Sequence, residues 1–378
     1  MTKHLPFLSL LLILGGSALL HAEKTKPAQW PHEDSDIAVD PEVEFGTLKN
    51  GMRFAIRRNA EPPGRVSLRL HVGAGSLHEA DNQRGLAHFL EHMLFNGSKN
   101  FPDVENLLGQ MQRLGIAFGS HANAYTSFDE TVYMLDLPNI EEQTLKLGFD
   151  VMRDFGDGAL LESEEIDKER GVILSEKRSR DSVEMRLMEQ QFSFLLPDSL
   201  STHRFPIGTE KVIKEAQRDR FTSFYEDYYT PANMTFIVVG DIDPLVYKKR
   251  VIETFSSMTN PEKPGDEPKL GTIPEGFKFQ AAVFSDKEVK SDDLALGFVQ
   301  DLETASDSVS NRVKRYPLSV ANSIIGRRFE ILAKKEGSPI SSGSAGRFEW
   351  FNAIEFGSID VTAVEGKWKE AVPVMEQE

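Results

Sequence analysis

Two stretches near the amino terminus alternate apolar and polar residues: Met52, Phe54 and Ile56, then Val66, Leu68, Leu70 and Val72. Successive side chains of an extended chain point to opposite faces, so each run predicts a strand with one buried side. The GAGS segment at 73–76 ends the second strand. It lacks the Gly-Lys-Ser/Thr ending of a phosphate loop and reads as a turn. Asp81 and Asn82 then offer a helix cap, and the spacing predicts a helix over 84–95, stopped at Asn96 and Gly97. Helical periodicity recurs near 103–114, 139–155, 162–180, 183–195 and 215–228, and strands fill 131–137 and 233–240. Further on, Leu294, Leu296 and Phe298 alternate as a strand, while Leu318, Ala321, Ile324 and Ile325 keep helical spacing. Strands and helices come in clusters rather than as a regular βαβ repeat. The expected class is therefore α+β, an antiparallel or mixed sheet packed with helices.

The same pass suggests boundaries. Residues 258–279 hold four prolines and three glycines between two patterned regions, which makes them the expected linker. They separate a first domain at 43–257 from a second, incomplete one at 280–378. Residues 23–42 are polar and broken by proline, an extended lead-in. Ahead of them, Lys3, the apolar run 5–20 and the segment Leu20-His21-Ala22 have the order of a secretory signal, 1–22, cleaved before Glu23. The chain is then expected to be exported, periplasmic or secreted, with no stable membrane span once the signal is removed.

The charge balance narrows the partners. The 378 residues carry 43 Lys and Arg against 59 Asp and Glu, a formal net charge of −16, and such a field opposes nucleic acid. There is no cysteine. Disulfides cannot contribute to stability, and any metal must be held by His, Asp or Glu.

Chemistry concentrates in HFLEH, residues 88–92. Residues four apart on a helix lie one turn above each other, so His88 and His92 project from one side with Glu91 between them. Leu86, Phe89, Leu90 and Met93 lie on the opposite, core-facing side. Two imidazoles at this spacing suit zinc, which at a catalytic site takes a third protein ligand and keeps one position open. The richest source of a third ligand is the helix at 162–180. There Glu162, Ile166, Glu169, Ile173 and Glu176 step by four, three, four and three, placing carboxylates on an apolar stripe where a cation would offset their cost. His71 and His121 border strands and are expected to be structural.

The inverted motif His88-x-x-Glu91-His92 resembles that of the pitrilysin/insulinase family of zinc metallopeptidases. That family takes its third zinc ligand from a glutamate about 77 positions after the second histidine, and Glu169 stands there, in DKERGVIL. The segment HANAYTSFDETVYMLDLP resembles the family's edge strand. The likeness runs from about residue 44 to 255 and more faintly to 378.

The resemblance implies domains of the mitochondrial-processing-peptidase type, paired as a clamshell around a peptide. It implies one zinc ion on His88, His92 and Glu169, Glu91 as general base, Glu162 and Glu176 as groups orienting or charge-balancing the ligands, and Asn123, Ala124 and Tyr125 against the substrate backbone. The substrate would be a peptide or an unfolded polypeptide segment. Family members close the site with a second half or a partner subunit, and no residue here matches the arginine and tyrosine positions that half supplies. A noncatalytic peptide-binding or partner-subunit role is therefore the alternative to an endopeptidase. A small-molecule lyase resembling S-ribosylhomocysteinase also uses such a helix, but it needs a cysteine ligand.

Overall fold

The computed structural model describes residues 30–271, 279–289, 291–301, 306–350 and 354–378. The expected signal, part of the lead-in and part of the linker lie outside the described residues.

Six strands form the first sheet: β1 (Val43–Thr47), β2 (Arg53–Arg58), β3 (Val66–Val72), β4 (Ala122–Thr126), β5 (Thr131–Leu137) and β6 (Met234–Gly240), in the order β1-β2-β6-β3-β5-β4. Every neighbouring pair is antiparallel except β2 with β6, so the sheet is mixed. Strand β3 shows why the period-two pattern is legible: Val66, Leu68, Leu70 and Val72 are buried, while Ser67, Arg69 and His71 are half-buried on the other face. Helices cover the apolar face.

In the first domain the helices are α1 (Leu86–Met93), α2 (Val104–Arg113), α3 (Glu142–Asp157), α4 (Ser163–Ser179), α5 (Val183–Leu195), α6 (Glu210–Glu215), α7 (Arg218–Tyr228) and α8 (Pro244–Phe255). Helix α3 lies against β3 and β5, α8 against β2, and Phe149 of α3 and Phe255 of α8 both pack on Phe236 of β6. Helix α1 is held between the sheet and a layer made by α4, α6 and α7, with Phe89 edge-on to Phe221.

A smaller antiparallel sheet, in the order β7-β9-β8, is built from β7 (Asp292–Asp301), β8 (Ile340–Trp350) and β9 (Ile354–Ala363). It carries α9 (Val309–Ala333) and α10 (Trp368–Gln377), and its core centres on Phe329, Ile340, Val361 and Met375. Helix α5 joins the two parts: Phe192 stacks on Trp350 at 4.6 Å, and Arg186 pairs with Asp286 and Glu288.

Several elements differ from the sequence pattern, which gives none at β1, β8, β9, α6, α8 and α10. The helix expected over 84–95 is shorter, because Gly85 has φ 102° and separates the turn at 81–83 from α1. Strand β4 alternates in burial but holds few strongly apolar residues, so only the family resemblance marks it in the sequence.

Candidate metal centre

Helix α1 begins against a fixed support. Gly85 adopts the left-handed backbone that favours glycine, and a Cβ there would come within 2.8 Å of Gly208 Cα. Past it, the unsatisfied N–H groups of the first turn meet a buried carboxylate: Gly85 N donates to Glu79 Oε2 and Ala87 N to Glu79 Oε1, both at 2.8 Å. Burial pushes the Glu79 carboxyl up to about 8, against the pull of those two donors and of Arg204 and Arg84.

The expectation that only one side of α1 faces the core needs correction. Leu86, Phe89, Leu90 and Met93 are fully buried, but His88 is only 4% exposed and Glu91 8%. Helix α4 and strand β4 cover the polar side, so His88 and Glu91 are largely shielded from water, while His92 is half-buried.

The rings of His88 and His92 lie 4.9 Å apart. Their Nε2 atoms face the same carboxylate oxygen, Glu176 Oε2, at 3.5 Å and 3.4 Å. Glu169, two turns earlier on α4, reaches the other side of the His92 ring, with Oε1 2.9 Å from Nδ1. Both carboxylates are held in turn: Asn96 Nδ2 donates to Glu169 Oε2 at 3.0 Å, and Arg180 pairs with Glu176. The buried residues Ile166 and Ile173 fix α4 against the core beside them.

These contacts set the proton affinities. Burial disfavours a charged His92, yet the hydrogen bond with Glu169 and the charges of Glu91, Glu169 and Glu176 outweigh it, and its pKa stands above the ordinary value. The same bond holds Glu169 below the usual carboxylate range. Glu176 is lowered to about 2, first by its hydrogen bond with His88.

The structure thus brings His88, Glu91, His92, Glu169 and Glu176 together. Glu162, exposed at the N-cap of α4, is not among them. Asn123, Ala124 and Tyr125 lie on β4, the sheet's edge, with Asn123 and Tyr125 exposed and the Tyr125 hydroxyl donating to Glu130 at 2.8 Å. Three contributors were not expected. Asn96 reads in sequence as a helix stop; Arg180 follows Glu176 at the i+4 spacing that could have suggested it; Thr126 hydrogen-bonds Glu91 across 35 residues, a distance no local pattern spans.

Whether this group suits a metal turns on its donors. Ligand atoms of His88, His92 and Glu176 all lie within 4.8 Å of one another, and two imidazoles with a carboxylate form a donor set that zinc takes. The residues fit a zinc ion.

Residues 54–200 match the family described as Insulinase (Peptidase family M16), and residues 215–378 match the Peptidase M16 inactive domain. The chain belongs to the insulinase family. The second match starts ahead of α7 and so takes in β6, which completes the first sheet. Among relatives of this family, the probable zinc protease PqqL of Haemophilus influenzae is 36% identical over 231 residues, 61% of this chain and 24% of that protein. The probable zinc protease PqqL of Escherichia coli is 32% identical over 310 residues, 82% of this chain and 33% of that protein. The crystal structure of the first half of the periplasmic protease PqqL from Escherichia coli superposes with a TM-score of 0.79 at 30% identity, covering 86% of this chain and 69% of that one. The chain spans between 24% and 33% of the length of these two curated relatives.

Proposed function

We propose that this chain carries the zinc site of an exported endopeptidase that cleaves peptides or unfolded polypeptide segments. The observation that carries the reading is the convergence of His88, His92 and the α4 carboxylates beside Glu91, under the open edge strand β4.

His88 and His92 would hold the ion through Nε2, with Glu176, whose Oε2 faces both, as third ligand in place of the Glu169 that the family spacing designates. Its hydrogen bond with His88 holds the Glu176 carboxyl at about 2, so it stays ionised for a cation. Glu169 meets the far nitrogen of His92, Nδ1, and is then the partner that orients that imidazole and balances charge.

When bound, zinc polarises the scissile carbonyl and lowers the pKa of a coordinated water to about 7. Glu91, on the same helix face as the two histidines, takes the proton from the attacking water and returns it to the leaving nitrogen. Strand β4 is the sheet edge; its start is bridged at Ala122, and the Ala124 N–H is held by the Asn123 side chain. An extended peptide adding as a further strand along Asn123, Ala124 and Tyr125 would displace that side chain from the Ala124 N–H.

Export rests on the signal-like start and on the periplasmic relative. Among the described residues no helix is long and apolar enough to cross a membrane. Closure by a second half or partner subunit agrees with the short share of its relatives that the chain spans. The test is a pair of variants: Glu91→Gln should retain zinc and lose cleavage of an unfolded polypeptide, while His88→Ala should lose both. Cleavage by Glu91→Gln at the unmodified rate would sink the mechanism.

A further inference from the structure

Strand β4 alternates, and its last residue turns away from the side that Asn123 and Tyr125 share. The hydroxyl of Thr126 donates to Glu91 Oε2 at 2.6 Å, a short bond to a carboxylate that is 8% exposed. We propose that Thr126 is the positioning residue for Glu91: it ties down one carboxylate oxygen and so leaves Oε1 to meet the attacking water. The inference rests on the peptidase reading and names a residue that the family resemblance did not supply.

The mount is built to be rigid. Thr126 closes the β4–β5 ladder opposite Thr131, whose own hydroxyl donates to Ala74 O at 2.9 Å. The turn that follows is clamped by the segment after β3: Ser76 N donates to Ser127 O at 3.1 Å and Leu77 N to Phe128 O at 2.8 Å. Gly75 allows this approach, since a Cβ there would lie 2.4 Å from Ser127 O. Without the hydroxyl, Glu91 keeps its place on α1 but its carboxylate is free to rotate about its side-chain bonds. A misplacement of about 1 Å can cost about 100-fold in rate.

The same strand would therefore align the substrate through Asn123, Ala124 and Tyr125 and the base through Thr126. Cleavage and substrate register are coupled by adjacent residues of one element.

The experiment compares Thr126→Val, which keeps the shape and removes the donor, with Thr126→Ser, which keeps the donor. Kinetics on an unfolded polypeptide, zinc content, melting temperature and the absorption spectrum of the cobalt(II)-substituted protein are recorded for each. Thr126→Val should lose about 10- to 100-fold in kcat with KM, zinc content and melting temperature unchanged. Its cobalt spectrum should differ from that of the unmodified protein, and Thr126→Ser should restore both kcat and spectrum. Unchanged kcat and spectrum in Thr126→Val would overturn the proposal, as would loss of zinc or failure of serine to rescue, since either marks a merely structural residue. If the unmodified protein cleaves nothing, the peptidase reading fails first. The cobalt spectra still decide whether Thr126 sets Glu91 beside the metal.

Discussion

Glu169 Oε1 lies 2.9 Å from His92 Nδ1, while Glu176 Oε2 lies 3.4 Å from Nε2 of the same ring. One imidazole is thus gripped from both sides by a single helix, and only Glu176 also faces Nε2 of His88. Glu176→Gln should remove stoichiometric zinc and cleavage together. Glu169→Gln should lower zinc affinity by about 10- to 100-fold, the usual effect of losing a group that orients a ligand. Metal analysis after dialysis against a graded chelator separates the two. The opposite ranking would exchange their roles.

The raised pKa of His92 makes metal binding a proton exchange. Around neutral pH the metal-free folded chain holds more proton on His92 than the unfolded chain does. That stabilisation is complete below the ordinary histidine value and is lost as pH rises through the raised one. Zinc needs the neutral ring, so its affinity runs the other way and falls as pH falls. Melting curves of chelated and zinc-loaded protein between about pH 5 and 8 should diverge as pH rises, the span in which histidine changes charge.

Much of the fold is readable from period alone, because β3 and β6 bury alternate residues and α3 and α4 span several turns. The site is less readable. Glu169 and Glu176 sit two turns apart on the same stripe, so spacing places both near the histidines and cannot rank them. What distinguishes them is the ring nitrogen each meets: Glu176 faces Nε2 of both histidines and Glu169 only Nδ1 of His92, which depends on how α4 packs on α1. Strand β4 is polar, and Thr126 meets Glu91 only because the sheet order puts β4 over α1. The burial of His88 likewise follows from what α4 covers, which the composition of α1 does not contain.

Gly85→Ala tests the support under the site from the backbone side. A side chain at φ 102° is strained, and its Cβ would press on Gly208 Cα at 2.8 Å. The expected cost is about 1–3 kcal/mol in chemical denaturation, from the left-handed backbone alone. Zinc should weaken as well, because α1 starts at this residue and carries both histidines within its next two turns.

Glu79 offers a sharper test of how α1 is anchored. Its carboxyl is buried and its pKa is pushed up to about 8, so between the ordinary value of 4.5 and about 8 the folded chain binds more proton at this site than the unfolded chain. The slope of unfolding free energy with pH follows the excess of protons on the unfolded state, here negative, so Glu79 costs stability progressively as pH rises through that window and no further above it. Glu79→Gln keeps one oxygen to accept from Gly85 or Ala87 and removes the titration. Its stability should therefore match the unmodified protein near pH 5 and exceed it near pH 8, with zinc content retained. Glu79→Ala removes both acceptors and leaves two helix N–H groups buried without partners, at about 1–3 kcal/mol each. It should be destabilised at every pH, and urea denaturation of both variants across this range reads the difference. A Glu79→Gln variant whose stability tracks that of the unmodified protein at every pH would show that Glu79 is ionised throughout and acts as a charged cap on α1.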